Sequence, residues 1–205
     1  VVGTSKGAEF AELLAAYDFP VDNVIAFAPA GFSYSGLDFS QGQDLPSFTL
    51  RGEAVPFASL RDANFGTQFR LMWNGITGYP MAYAGVYQQA GDKAPDEARI
   101  DLSDFPGNVV LFAGLQDQMW HSSRAALELA EQSPRIEAHV YPRAGHAFFP
   151  DASELPNGWQ EMLGGTVEGN RDAYEQSQAI FWERLADWHA APVTPSASDS
   201  AAPAR

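Results

Sequence analysis

Two short runs in the chain are almost free of polar residues. Asn23-Val24-Ile25-Ala26-Phe27-Ala28 stops at Pro29, and Asn108–Gly114 reads NVVLFAG. Near-continuous apolar runs of this length suit parallel strands buried on both faces, because a solvated face would impose alternation. IEAHVY (136–141) is a third run of strand length. Between them the spacing turns helical. Residues 8–17 carry Phe10, Leu13, Leu14 and Tyr17, and a turn follows at Asp18, Pro20 and Asp22. Residues 122–132 place Ala126, Leu129 and Ala130 on one face, with Pro134 beyond. Residues 172–188 align Tyr174, Ser177, Phe181, Leu185 and Trp188.

Residues from about 30 to 98 show no period and are rich in Gly, Pro and aromatics, as in MWNGITGYPMAY. They read as a cap-like insertion with short helices over the C-terminal edge of a sheet, since long irregular segments in a domain are usually functional. Residues 191–205, APVTPSASDSAAPAR, form a Pro/Ala/Ser tail expected to be disordered. The order strand, helix, strand, insertion, strand, helix, strand, helix is that of an α/β fold with a mostly parallel sheet flanked by helices. It gives one domain over 1–190, with Val1-Val2 as the stump of a further strand.

Composition narrows the functions. With 205 residues, 45% hydrophobic, the chain can bury one sizeable core, and no apolar run approaches the ~18 residues of a membrane span. It has no cysteine, which excludes disulfides, a thiolate zinc site and a Cys nucleophile. The formal charge of −14 argues against nucleic acid and anionic membrane surfaces as partners, and against a highly anionic substrate unless a local basic pocket exists. Its plainest role is a solubilising surface.

The chemistry begins at Gly3-Thr4-Ser5-Lys6-Gly7, a G-x-S-x-G pattern. Roughly one chain in fifteen of this length carries that pattern by chance. Its context is more specific: valines precede it and a helical run follows, as a nucleophile elbow between strand and helix requires. The helix N-terminus then lies under the serine, and the Lys6 backbone N–H is positioned to meet a developing oxyanion. A serine nucleophile needs a base, and the base an orienting acid, in the chain order Ser, Asp or Glu, His. Asp117 follows the 108–114 strand in AGLQDQMW, and His146 follows the 136–141 strand in YPRAGHAFFP, beside a loop glycine, Gly145. His121, His139 and His189 are expected to be structural. Asp101 and Asp104 precede their strand, at the wrong end of the sheet, and Asp151 lies past the histidine.

The segments GTSKGAEFAELLA, SFTLRGEAVPF, NVVLFAGLQDQMWHSS, YPRAGHAFFP and GGTVEGNRDAYEQSQAIFWERL together resemble the C-terminal domain shared by acyl-CoA thioester hydrolases and bile acid-CoA:amino acid N-acyltransferases. Dienelactone hydrolases share only the triad positions. The resemblance spans nearly all of the chain except the tail. It implies an α/β-hydrolase fold with nucleophile Ser5, acid Asp117 and base His146, and it implies acyl-CoA thioesters as substrates. Three departures stand out. Ala8 occupies a position where the family often has glycine. Serine replaces the cysteine of the acyltransferase members, which favours water over an amine as acceptor. The family's long region before the serine is absent, so the sequence reads as the C-terminal piece of a longer chain, lacking the N-terminal strands and the loop that supplies a second oxyanion donor.

The expected function is therefore a serine hydrolase of thioesters or esters acting through an acyl-serine intermediate. Acyl transfer from coenzyme A to an amine, or a carboxylesterase of dienelactone-hydrolase type, is the neighbouring alternative, and a catalytically incompetent fragment or binding domain the alternative of another class. No cofactor or metal is called for, and the expected partner is a small-molecule acyl ester or thioester. Phe32, Tyr34, Phe65, Trp73 and Tyr79 of the insertion are candidates to line an acyl pocket or to pack the cap's own core. Lys6, one of only two lysines, is the candidate anchor for a coenzyme A phosphate.

Overall fold

The apolar runs become the central strands of a four-stranded parallel sheet. The computed structural model describes residues 1–36, 44–81 and 83–190; the expected tail at 191–205 lies outside them. The sheet strands are β1 (Val2–Thr4), β2 (Asn23–Phe27), β5 (Asn108–Gly114) and β6 (Ile136–Tyr141), in the spatial order β1-β2-β5-β6. A short antiparallel hairpin, β3 (Thr49–Leu50) and β4 (Glu53–Ala54), lies apart from the sheet. In β5 every residue after Asn108 is buried, because both faces are covered, and this removes any alternation from its sequence.

Side chains on the two faces enter two cores. One core gathers Val24, Ala26, Val109, Leu111 and Ile136 with α1 (Lys6–Ala16) and α4 (Ser122–Ala130). The other gathers Ile25, Val110 and Phe112 with Ile180, Phe181 and Trp188 of α6 (Val167–Ala190). Arg184 ties α6 to β6 by a forked pair of bonds to Glu137, at 3.1 and 3.2 Å. This parallel, helix-flanked sheet with a strand–turn–helix elbow at its C-terminal edge is an α/β-hydrolase arrangement.

The aperiodic insertion holds the β3–β4 hairpin, α2 (Phe65–Thr77), α3 (Ala84–Asp92) and two 3₁₀ turns, Leu60–Asp62 and Asp96–Ala98. The short helices expected there are present, but reading the segment as without period overlooks α2, whose Phe65, Phe69, Met72, Trp73 and Ile76 recur at helical spacing. Two further departures have simple causes. A short helix, α5 (Trp159–Leu163), is too brief for a period to show. The last helix begins at Val167 rather than 172; its first turn, VEGNR, lacks an apolar stripe and is started by Thr166, whose hydroxyl accepts from Gly169 N–H at 2.9 Å.

Candidate active site

Ser5 sits where β1 ends and α1 begins, with φ 57 and ψ −125. A non-glycine residue rarely adopts such a conformation. It is held there from both sides: Ser5 N–H donates to the Phe27 carbonyl on β2 at 2.9 Å, and the Ser5 carbonyl accepts from Ala8 and Glu9 in the first turn of α1. Only one of the motif's glycines is forced by space. A Cβ on Gly3 would collide with the Gly7 carbonyl, whereas a Cβ on Gly7 would meet nothing among the described residues. Ala8 is fully buried in the core, so the small residue at that position packs without harm.

His146 comes from the loop after β6, and its Nε2 lies 2.8 Å from Ser5 Oγ. Its Nδ1 lies 2.9 and 3.1 Å from the two carboxylate oxygens of Asp117, in the loop after β5. A carboxylate only accepts, so Nδ1 carries the proton and Nε2 faces the serine hydroxyl as acceptor. Both side chains are buried. Asp117 is fixed by three further donors: Met119 N–H at 2.8 Å, Trp120 N–H at 3.2 Å and Ser122 Oγ at 2.5 Å. The Trp120 ring stands edge-on to the imidazole, with centroids 4.8 Å apart, and is anchored by its own Nε1–H to the Pro29 carbonyl at 3.0 Å.

Sequence reasoning missed the residues that join the two loops. Gly164 and Gly165, with φ 74 and 78, bridge to Asp117 and Ala144 respectively. A side chain on Gly164 would collide with the Gln116 carbonyl, and one on Gly145 with the backbone at Leu163 and Gly164. Asn170, fully buried, accepts from Gly145 N–H at 2.8 Å, and His146 N–H donates to the Leu163 carbonyl at 2.6 Å. The adjacent glycines before a helix were the available signal, since paired glycines mark backbone positions that side chains cannot occupy. Of the rejected residues, His139 stacks on Phe112, His121 precedes the first turn of α4 without a side-chain capping bond, His189 lies in the last turn of α6, and Asp101 and Asp151 accept from the amides of Ser103 and Ser153.

A cavity of about 290 Å³ opens beside His146, lined by Thr4, Phe27, Ala28, Phe148, Phe149 and Tyr174 among others. No family model matches the chain, and no curated protein does. Two solved structures resemble it in part. BpoC of Mycobacterium tuberculosis H37Rv, which carries a non-heme bromoperoxidase name, is 18% identical with a TM-score of 0.36, over 71% of this chain and 59% of that one. Carboxylesterase CesB (YbfK) of Bacillus subtilis is 18% identical with a TM-score of 0.37, over 71% of this chain and 52% of that one. The chain thus spans between half and three-fifths of the length of these proteins. The acyl-CoA resemblance rests on the quoted sequence segments alone.

Two expectations about the surroundings need correction. Lys6 does not extend a free ammonium towards a phosphate. Its Nζ pairs with Glu9 at 2.7 Å, donates to the Tyr34 carbonyl at 3.3 Å and lies over the Phe48 ring. Burial pulls its pKa down against the opposing pull of Glu9, and burial likewise pushes the Glu9 carboxyl up. Of the five aromatic candidates, Phe65, Trp73 and Tyr79 neither line a pocket at Ser5 nor pack a core, being 83%, 55% and 52% exposed. Tyr34 is buried against Tyr87 and Trp120, and Phe32 packs at the edge of the same cluster.

Proposed function

We propose that this chain carries the catalytic machinery of a serine hydrolase that cleaves carboxylic esters or thioesters. The observation that supports this most is the continuous relay from Ser5 Oγ through His146 to Asp117, starting from a serine held in a strained turn. In this reading Ser5 Oγ attacks the acyl carbonyl carbon while His146 Nε2 takes its proton. Asp117 steadies the imidazolium through Nδ1. The Lys6 N–H, first in α1 and without an acceptor inside the helix, faces the oxyanion. His146 returns the proton to the leaving alcohol or thiol, and the acyl–Ser5 ester is then hydrolysed by water that His146 deprotonates.

The cavity of about 290 Å³ beside His146, walled by Phe27, Phe148 and Phe149, suits an apolar substituent of the substrate. Acyl-CoA thioesters are the finer reading that the family segments suggest. Against it stand the charge of −14 and the commitment of Lys6 to Glu9, which leave the coenzyme's phosphates without their expected anchor. An uncharged ester or thioester therefore fits this site better.

The test compares p-nitrophenyl butyrate with butyryl-CoA over a range of salt. Hydrolysis of the neutral ester should barely respond to salt, and Ser5→Ala should abolish turnover of both substrates and labelling by a fluorophosphonate. Activity surviving Ser5→Ala would remove the mechanism. A thioester kcat/KM that falls steeply with salt would restore recognition of coenzyme A by charge.

A further inference from the structure

Helix α2 carries its apolar side outward. Phe65, Phe69, Met72, Trp73 and Ile76 fall within about 100° of arc at 3.6 residues per turn. They are 83%, 45%, 53%, 55% and 72% exposed. Successive rings stack along the stripe, Phe65 on Phe69 at 6.0 Å and Phe69 on Trp73 at 6.1 Å. The opposite side, with Gln68, Leu71 and Asn74, faces the protein: Leu71 packs against the main core, and polar bonds hold the helix there. Asn74 Nδ2 donates to the Pro80 carbonyl at 2.8 Å, and Gln68 Nε2 donates to the Leu60 carbonyl at 2.6 Å. A surface helix ordinarily has the reverse arrangement. The only charged residue of α2, Arg70, pairs with Glu161 of α5, and Tyr79 and Pro80 beyond the helix rest against Gly158. Both contacts lie in the segment that follows His146, while Gln89 of α3 donates to Thr67 of α2 at 2.9 Å.

We propose that this stripe docks the protein onto an uncharged or zwitterionic lipid surface, where Ser5 would meet apolar esters; the purpose, though not the docking, rests on the hydrolase reading. Three observations favour a lipid surface over other occupants. The side chains are Phe, Trp, Met and Ile, with the aromatic character that seats amphipathic helices at a bilayer boundary. The net charge of −14, with the one arginine of the helix already paired, opposes both an anionic membrane and a second copy of the chain. The exposed stripe offers on the order of 600 Å², judged from the size of such side chains, which is below the ~800 Å² per partner of a standard stable interface.

The experiment is flotation of the full chain with phosphatidylcholine vesicles and with vesicles containing phosphatidylglycerol. The protein should float with the former and more weakly with the latter at low salt. The triple variant Phe65→Ser, Trp73→Ser, Ile76→Ser should bind at least tenfold more weakly while hydrolysing a soluble short ester at the parent rate. Because the chain has no cysteine, Ile76→Cys provides a single site for an environment-sensitive fluorophore, whose emission should shift to the blue on phosphatidylcholine vesicles even if the triple variant folds poorly. Absence of flotation, an unshifted label, or a dimer in sedimentation equilibrium that the triple variant dissolves would overturn the proposal. Ser5→Ala should dock unchanged. Docking without any ester hydrolysis would leave this proposal standing and remove the hydrolase reading.

Discussion

At the scale of single residues, the site depends on groups that hold others in place. Ser5 sits in a sparsely populated backbone region that costs about 1–3 kcal/mol, and the bonds to Phe27, Ala8 and Glu9 offset it. Asp117 is gripped more fully than orienting His146 alone would need, and Ser122, fully buried, supplies its shortest bond. Ser122→Ala would leave a buried carboxylate short of one donor. A hydrogen bond to a charged group contributes about 1.5–3 kcal/mol. The variant should therefore lose stability of that order and about tenfold in kcat/KM on a soluble ester, with Ser122→Thr recovering much of both. Thermal unfolding and steady-state kinetics on the three proteins check this. Parent-like kinetics for Ser122→Ala would show that the backbone donors suffice.

At the scale of elements, the two loops that carry Asp117 and His146 are stitched by the segment between α5 and α6. Gly164 has φ 74, and its Cα faces the Gln116 carbonyl, one residue before Asp117. Gly164→Ala should push these backbones apart. A displacement of about 1 Å at reacting groups costs around 10²-fold, so a loss in kcat of that order is expected, together with a lower Tm. Gly7→Ala is the contrasting case. It lies within α1 with open space around its Cα, so it should be neutral or should stabilise by up to about 1 kcal/mol. Comparable losses in the two variants would contradict this account of why each glycine is there.

At the scale of the whole molecule, the face of α1 turned to the core carries two carboxylic acids, Glu9 and Glu12, both fully buried. Burial pushes the Glu12 carboxyl well above its ordinary value of 4.5, and nearby Glu9 adds to the rise; the Ala30 N–H, bonded at 3.1 Å, opposes it only in part. Among the described residues one Glu12 oxygen has no hydrogen-bond partner. The sign follows from linkage. Above pH 4.5 the unfolded chain releases this proton while the folded chain keeps it, so the contribution to stability falls as pH rises towards the folded pKa. Glu12→Gln keeps the shape and removes the titration. Its Tm should exceed that of the parent at pH 8, by a margin that shrinks towards pH 4.5. A uniform offset across that range would show that Glu12 does not hold its proton in the fold.

The sequence by itself determined the parallel strands, the helices between them and the three residues Ser5, Asp117 and His146 as candidates, because each leaves a local mark. Buried parallel strands are continuously apolar, amphipathic helices repeat at 3.6 residues, and the chemistry needs its groups just past strand ends. Tertiary structure alone decided what depends on contacts between distant segments. The meeting of Ser5 with His146 spans 141 residues. The roles of Gly164, Asn170 and Ser122 exist only once two loops lie side by side. Lys6 looked free in sequence and is paired with Glu9 because burial of α1 brings the two together beside Tyr34. The reversed face of α2 was equally hidden, since a spacing of apolar residues says that they share a side of a helix but not whether that side meets the core or the solvent.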